Sequence, residues 1–249
     1  SRVTVLQYKG VNKHILVLQH ARVEHPGVFR TFLKRDGHTW DAVELDEGET
    51  LPSLLGYDAL WVMGGPMDVW QEDEHPLLCA ELSMIREAVL HHEMPFLGRC
   101  LGHQLLDEAL GGTVGPSTTP EIGILDVQIT HPGGIFDGLP NTLSCLQWHS
   151  AEVTHVPEGM QVLAVSTACS VQAMAWKDHA YSLQFHIEME ANTVSNWAEI
   201  PAYANALDRA MGEGAAVRLE AACAERMDGF NAMAEQLYKN WMLSTRSPE

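Results

Sequence analysis

The chain has 249 residues, of which 46% are hydrophobic, a length and composition that suit one α/β domain with a substantial core. Its 15 basic and 33 acidic residues give a formal net charge of −18, which disfavours nucleic acid as a partner. No apolar run approaches the ~20 residues of a membrane-spanning helix, and the first residues lack the pattern of a signal peptide, so we expect no membrane partner.

Strands alternate with helices along the first half of the chain. Compact or alternating apolar runs predict strands at residues 15–19, 39–45, 59–63 and 95–98. Helical spacing of apolar residues predicts helices over residues 29–35, 76–91 and 103–110. This alternation is typical of a flavodoxin-like or Rossmann-like α/β fold, in which helices flank a mostly parallel sheet.

From Gly112 onward the pattern changes to successive strands. They are predicted at residues 124–130, 143–147, 162–165, 171–176 and 181–185. Short strands in succession add antiparallel strands to the sheet without requiring a second domain. We therefore predict one domain over residues 1–249, with its core at 14–198 and a C-terminal helical extension at 199–249.

The C-terminal part predicts a long amphipathic helix. Apolar residues recur there at spacings of three and four, namely Leu219, Cys223, Met227, Phe230, Ala234, Leu237 and Trp241. Two interpretations stay open, because such a stripe either covers the domain's own sheet or forms a surface for a homodimer or another partner. Gly229 lies inside the run and weakens the prediction of an unbroken helix.

Cys100 lies between two glycines, directly after a predicted strand and before a predicted helix. This is the layout of a nucleophile elbow, in which glycines allow the close approach of strand and helix. A thiol at a helix N-terminus is expected to ionise more readily, because the helix dipole favours the thiolate. The five cysteines are odd in number and widely spaced, which predicts reduced thiols in a cytoplasmic protein, with all but Cys100 buried.

A histidine and a carboxylate follow near the end of the last predicted strand. His186 and Glu188 are two residues apart, so in an extended segment both face the same side. Glu188 can then fix the tautomer of His186, whose other ring nitrogen faces Cys100. Cysteine, histidine and carboxylate together predict acyl-transfer chemistry.

These segments together resemble the class I, triad-type glutamine amidotransferases, and most of all their stand-alone GMP-synthase-like members. The resemblance extends from about residue 14 to about residue 240. It implies that Cys100 is the nucleophile, His186 the base and Glu188 its orienting acid. It also implies glutamine or another γ-glutamyl amide as the substrate.

Further segments match the same family in the same order. Gly64-Gly65-Pro66 follows a predicted strand and resembles the family's oxyanion loop, so the amides of Gly65 and Leu101 are predicted to donate to the tetrahedral oxyanion. The remaining matches imply substrate-binding residues, namely Gln104, Glu121, Gly123 and His149. Taken alone, Gln104 and Glu121 fit solvated surface positions equally well.

The chain departs from the family at two positions beside the triad. Arg99 stands where the family usually has a small apolar residue, and Ile187 stands where it usually has proline. Arg99 either adds positive charge near the thiolate or faces away into an ion pair. Neither departure removes a catalytic group, so they bear on the substrate more than on the chemistry.

Other histidines raise the question of a metal site. His20 and His25 flank Glu24, and His91-His92-Glu93 lies at a predicted helix end. Adjacent histidines on a helix diverge by about 100°, and no tight Cys/His spacing accompanies them, so we predict no metal and no cofactor. The 20–27 loop is instead expected to border the pocket.

Three functions remain open at this stage. The first is glutamine hydrolysis that supplies ammonia to an acceptor enzyme, the second is hydrolysis of another γ-glutamyl amide, and the third is binding without catalysis. The intact Cys100, His186 and Glu188 argue against the third. The sequence contains no Gly-rich phosphate loop, so an ATP-using synthetase is expected to be a separate polypeptide.

Overall fold

Within residues 11–245, nine strands form the centre of the molecule. A computed structural model describes residues 11–245, so the outermost residues of the predicted domain, 1–10 and 246–249, lie outside the described part. The strands are β1 (His14–Gln19), β2 (Thr39–Glu44), β3 (Ala59–Val62), β4 (Phe96–Arg99), β5 (Thr113–Ile129), β6 (Thr142–His155), β7 (Met160–Val165), β8 (Ala173–Trp176) and β9 (Ala180–Leu183).

Helices occupy most of the segments between these strands and the C-terminal part. They are α1 (Phe29–Arg35), α2 (Leu77–Arg86), α3 (Leu101–Ala109), α4 (Thr193–Trp197), α5 (Pro201–Met211), α6 (Ala215–Glu225) and α7 (Met227–Ser244). A π-helical turn at Glu87–His91 extends α2 to the residue predicted as its end.

All nine strands belong to one sheet, in the order β2-β1-β3-β4-β9-β8-β7-β5-β6. The first five of these are mutually parallel, and the remaining pairs are antiparallel. The predicted class, a mostly parallel sheet with added antiparallel strands, is thereby confirmed. Because ligands bind beyond the carboxyl ends of parallel strands, the loops after β1, β3, β4 and β9 define the edge at which a site is expected.

Apolar residues cover both faces of the sheet. On one face α1 and α7 pack through residues such as Phe29 and Trp241, and on the other α2 and α3 pack through residues such as Ile85 and Leu105. A third cluster joins α4, α5 and α6 to β6, centred on Trp148 and Trp197. The parallel strands β1, β3, β4 and β9 are buried on both sides, as helix-covered sheets require, whereas the edge strand β2 is partly exposed.

The C-terminal stripe differs from its prediction in one respect. It belongs to two helices, because α6 ends at Glu225 and α7 starts at Met227, while Gly229 lies inside α7. Leu219, Cys223 and Phe230 are buried in the third cluster, whereas Ala234, Leu237 and Trp241 are buried against the sheet. The first interpretation is therefore confirmed, and this stripe is not available to a second chain.

The structure also differs from two smaller predictions. Helix α3 starts at Leu101 and ends at Ala109, two residues earlier at its start than the pattern predicted, because the turn of the elbow occupies Cys100 alone. Cys79 is exposed rather than buried. Within residues 11–245, no helix has the length and apolar character needed to cross a membrane.

Candidate active site

Cys100 occupies the sharp turn between β4 and α3. Its φ of 53° and ψ of −109° are rarely adopted by a residue with a side chain, and strain of this kind is concentrated at functional sites. The two flanking glycines are required sterically. A Cβ at Gly98 would lie 2.6 Å from the carbonyl oxygen of Gly102, and a Cβ at Gly102 would overlap the carbonyl oxygen of Val62. The predicted elbow is therefore present in the structure.

His186 and Glu188 form a buried hydrogen-bonded pair close to the elbow. The distance between His186 Nδ1 and Glu188 Oε1 is 2.8 Å. Both residues lie beyond β9, which ends at Leu183, whereas the strand was predicted to reach residue 185. The Cys100 N–H donates to the carbonyl of Leu183 at 2.8 Å, which keeps the elbow next to the chain that leads into His186.

Ile187, which stands where the family usually has proline, adds a hydrogen bond to this pair. The Ile187 N–H donates to Glu188 Oε2 at 3.1 Å, a contact that proline could not make because it has no N–H. Nδ1 of His186 faces the carboxylate, so a neutral ring carries its proton there and leaves a lone pair on Nε2. Within the described part of the chain, Nε2 has no hydrogen-bond partner.

The charge of Arg99 is directed at Glu188. Arg99 is buried, and its Nη1 lies 3.2 Å from Glu188 Oε2, while Nη2 donates to the carbonyl of His25 at 3.0 Å. Burial alone would raise the pKa of Glu188, but the charges of Arg99 and His186 outweigh it and lower that pKa to about 2. Arg99 fills both roles left open for it, because it forms an ion pair with the predicted orienting acid and its charge also acts on Cys100.

The surroundings of Cys100 favour the protonated thiol, contrary to the expectation from the helix dipole. Burial, together with the nearby carboxylate of Glu24, raises the pKa of Cys100 well above its usual range. The Leu101 N–H and the charge of Arg99 oppose this rise without overcoming it. Gln184 Nε2 donates to the sulfur at 3.6 Å. Nucleophilic attack therefore requires a base that takes the thiol proton.

A cavity of about 300 Å³ lies over Cys100. Gly65 and Leu101 border it, and the Leu101 N–H points at the Cys100 sulfur. The Gly65 N–H has no acceptor among residues 11–245. The structure thus brings both predicted oxyanion donors to the wall of one cavity.

Of the predicted substrate-binding residues, Gln104 and His149 border the cavity, whereas Glu121 and Gly123 do not. Gln104 Nε2 donates to the carbonyl of Ala151 at 3.1 Å and to Gln184 Oε1 at 3.0 Å. Its Oε1 has no partner among the described residues. The amide of Gln104 is therefore fixed with a carbonyl oxygen free to accept.

Glu121 acts behind the cavity wall. Its Oε1 accepts from Gln172 at 2.7 Å and lies 2.9 Å from His149 Nε2, and its Oε2 accepts from Ser166 at 2.7 Å. His149 Nδ1 lies 2.7 Å from the carbonyl oxygen of Ala151. Glu121 thus reaches the cavity only through His149.

Helix α5 supplies a wall of the cavity that no sequence pattern indicated. Tyr203, Asn205 and Arg209 line the cavity from this helix. Tyr203 donates to Glu24 Oε2 at 2.6 Å, and burial raises the pKa of Glu24. No local motif marks these residues, because helical spacing indicates only which side of α5 is buried.

The histidines considered as metal ligands are separated in the structure. His20 lies 2.7 Å from Glu81, while the nearest carboxylate to His25 is that of Glu190 at 3.9 Å. Potential ligand atoms of Glu121, His149 and Cys169 lie within 4.8 Å of one another. Both ring nitrogens of His149 already have hydrogen-bond partners there, and burial raises the pKa of the Cys169 thiol to about 12. The absence of a metal stays a prediction.

Comparison with known proteins identifies relatives for most of the chain. The family model of class I glutamine amidotransferases matches residues 29–196. One subunit of the glutamine-hydrolyzing GMP synthase of Sulfurisphaera tokodaii is 35% identical over 151 residues, which are 60% of this chain and 77% of the relative.

Solved structures extend the similarity beyond the segment that the family model matches. A glutamine amidotransferase from Thermotoga maritima has a TM-score of 0.83 and 27% identity, and covers 92% of this chain and 98% of its own. A glutamine amidotransferase from Methylobacillus flagellatus has a TM-score of 0.83 and 28% identity, and covers 96% of this chain and 98% of its own.

Proposed function

The chain belongs to the class I glutamine amidotransferase family, and on that premise we propose that it hydrolyses the side-chain amide of glutamine through a γ-glutamyl thioester on Cys100. Glutamate and ammonia are the products, and the ammonia passes to a separate acceptor enzyme. The observation that carries this proposal is the strained cysteine beside the hydrogen-bonded His186–Glu188 pair.

His186 serves as both base and acid in this proposal. Its Nε2 takes the proton of the Cys100 thiol as sulfur attacks the amide carbon, since burial disfavours a free thiolate. The imidazolium then gives that proton to the departing amine as the carbon–nitrogen bond breaks. Water attacks the thioester in the same way, releasing glutamate and restoring the thiol. Glu188 stays ionised throughout and stabilises the imidazolium.

Gly65 and Leu101 are the proposed donors to the oxyanion that forms when sulfur attacks. Their amides lie in the cavity wall beside the nucleophile. Each such donor typically contributes ~3 to 4 kcal/mol to lowering the barrier. Because Leu101 is the first residue of α3, its N–H has no partner within the helix and points at the Cys100 sulfur, beside which the oxyanion forms in this proposal.

The cavity offers complementary groups for the head of an amino acid. The free Oε1 of Gln104 and the carboxylate of Asp68 can accept from an α-ammonium, and the guanidinium of Arg209 can donate to an α-carboxylate. We assign substrate recognition to these three residues. His149 lines the same wall, and Glu121 holds its ring.

The proposed ammonia acceptor is a separate synthetase. The Sulfurisphaera tokodaii relative is named as one subunit of a GMP synthase, which fits an arrangement in which glutamine hydrolysis and synthesis reside on different chains.

One observation favours a second candidate, the hydrolysis of a γ-glutamyl amide of a larger amine. Helix α5 lines the cavity but lies outside the residues 29–196 that the family model matches. The wall of the pocket that α5 forms therefore need not follow the family.

A panel of amides tests both candidates. Product release is measured with glutamine, with γ-glutamyl amides of larger amines, and with analogues that lack the α-amino or the α-carboxylate group. A site that hydrogen-bonds these groups is expected to reject the analogues by ~10⁴ or more. Preference for glutamine supports the first candidate, and preference for larger amides supports the second. Equal cleavage of the analogues would contradict an amino-acid pocket.

The thioester is tested with a cysteine variant and a matched control. Cys100→Ala is expected to abolish hydrolysis, whereas Cys223→Ala, at a buried cysteine outside the site, should retain it. Mass spectrometry after rapid acid quench should detect a γ-glutamyl adduct on the peptide that contains Cys100. Turnover by the Cys100→Ala enzyme, or an adduct on another residue, would refute the proposed nucleophile.

A further inference from the structure

His20 joins the glycine loop to helix α2. It follows β1 directly and is buried, with its Nδ1 3.1 Å from the carbonyl oxygen of Gly64 and its Nε2 2.7 Å from Glu81 Oε1. The side chain packs on the loop as well, because a Cβ at Gly65 would lie 2.5 Å from His20 Cβ. Nothing in the proposed reaction uses this buried histidine–carboxylate pair.

Both ring nitrogens of His20 face acceptors. A neutral imidazole has only one N–H, so it would leave a lone pair opposed to either the Gly64 carbonyl or the Glu81 carboxylate. An imidazolium donates to both. Burial opposes the charged form, but Glu81, the Gly64 carbonyl and Glu24 outweigh it and raise the pKa of His20. The other titratable groups bordering the small cavity beside this pair are Asp46, Glu74 and His75.

The Gly64 carbonyl and the Gly65 N–H belong to the same peptide unit. In a planar trans peptide these two groups point in opposite directions. A hydrogen bond from His20 to the carbonyl therefore turns the N–H away from the imidazole. That N–H has no acceptor among the described residues, and Gly65 lines the cavity over Cys100.

Glycines at both positions leave this peptide without side chains to hold it. A Cβ at Gly64 would lie 2.5 Å from Glu24 Oε1 and 3.4 Å from Cys100 Cβ, so the loop is confined between His20 on one side and Glu24 with Cys100 on the other. Glycine is conformationally permissive, so an external contact is needed to select one peptide orientation.

We propose that protonated His20, anchored by Glu81, is a positioning residue that holds the Gly64–Gly65 peptide with its N–H directed at the reaction centre. The role in catalysis rests on the proposed function, because it assumes that the Gly65 N–H binds the oxyanion. The orientation of the peptide does not rest on it. A charged donor on the carbonyl also polarises the peptide and strengthens the N–H as a donor.

Two substitutions separate the two contacts of the ring. His20→Asn keeps a donor at the position of Nδ1 and loses the reach to Glu81, whereas His20→Gln keeps the reach to Glu81 and loses the donor to Gly64. We expect His20→Gln to lower kcat by ~10² to 10³ with little change in KM, which is the effect of losing one oxyanion donor. His20→Asn should recover most of the lost kcat.

The charge of the ring gives a second readout. Since the pKa of His20 is raised, the imidazolium persists to higher pH than that of an ordinary histidine and is lost as the pH rises through that pKa. We expect kcat of the wild-type protein to fall on this alkaline side and the fall to be absent in His20→Asn, whose amide does not titrate. Glu81→Gln should move the fall to lower pH. His179→Gln, at a buried histidine that contacts the Val89 carbonyl, is the control and should leave the profile unchanged.

Nuclear magnetic resonance tests the orientation without any assay of activity. Ring ¹⁵N shifts should show His20 doubly protonated at pH 7, and the Gly65 amide resonance should shift in His20→Gln more than in His20→Asn. These spectra decide the inference even if the wild-type protein cleaves no γ-glutamyl amide, a result that would refute only the proposed function. A neutral His20 ring at pH 7, or equal kcat in the Gln and Asn variants of an active enzyme, would overturn the inference.

Discussion

Replacing Arg99 with methionine is expected to destabilise the protein by leaving Glu188 as a buried carboxylate without its cationic partner. The two side chains are both 2% exposed, so solvent does not screen their charges. Methionine is also long and unbranched, so it fills much of the same space without a charge. The substitution thus removes the ion pair with limited loss of packing.

The size of the effect follows from the pKa of Glu188. Its lowering from 4.5 to about 2 corresponds to about 3 kcal/mol in favour of the ionised folded state at neutral pH. The group's pKa is depressed, so this stabilisation is present above pH 4.5 and is lost as the pH falls towards 2. Removal of one partner of a buried pair commonly costs ~3 to 5 kcal/mol, which agrees in magnitude.

Urea unfolding at pH 7 measures this loss, and a double-mutant cycle isolates the pair. Arg99→Met alone should lower the free energy of unfolding by about 3 kcal/mol, whereas combination with Glu188→Gln should restore a large part of it by removing the unpaired charge. Arg99→Lys keeps the positive charge, so its free energy of unfolding should lie between those of the wild-type protein and Arg99→Met. Strictly additive effects of Arg99→Met and Glu188→Gln would refute the assigned pairing.

Three further predictions concern cysteine reactivity, glycine sterics and pH. A neutral alkylating reagent should modify exposed Cys79 before Cys100, while a γ-glutamyl chloroketone should label Cys100 first; peptide mass mapping compares the two orders. Gly102→Ala should abolish turnover because its Cβ would overlap backbone, whereas Gly229→Ala, with open space inside α7, should raise the free energy of unfolding in urea by up to ~1 kcal/mol. Burial raises the pKa of Asp107 to about 8. Between pH 5 and 8 the unfolded chain therefore loses this proton more readily than the folded protein, which lowers the free energy of unfolding as the pH rises. Urea titrations should show this loss of stability in the wild-type protein and not in Asp107→Asn.

The parts of the site that the sequence predicted are those carried by short local patterns. Glycines around Cys100 indicated the elbow because close backbone approach excludes any larger residue at Gly98 and Gly102. The spacing of His186 and Glu188 indicated their contact, although the segment lies beyond the strand, because two residues apart in any extended chain face the same side. The alternation of strands and helices likewise predicted the parallel half of the sheet.

The partners of these residues depended on long-range packing. Arg99 meets Glu188 from a separate strand end, and Tyr203 reaches the cavity from a helix more than 100 residues after the elbow. The break before α7 also had no local signal, since helix-forming residues continue through Arg226. The protonated state of Cys100 was missed because burial outweighs the helix dipole, and burial is a property of the whole fold.

The same burial produces opposite charge states at the two ends of the triad. Burial alone would raise the pKa of both Cys100 and Glu188, since both charged forms lose water. Glu188 is compensated by Arg99 and His186 and stays ionised, whereas Cys100 faces the carboxylate of Glu24 and stays a thiol. His186 therefore lies between the Cys100 thiol, which keeps its own proton, and the Glu188 carboxylate, which favours protonation of the imidazole. In the proposed reaction, a substrate carbonyl that accepts charge from sulfur completes the transfer, so the nucleophile forms only when a substrate is present.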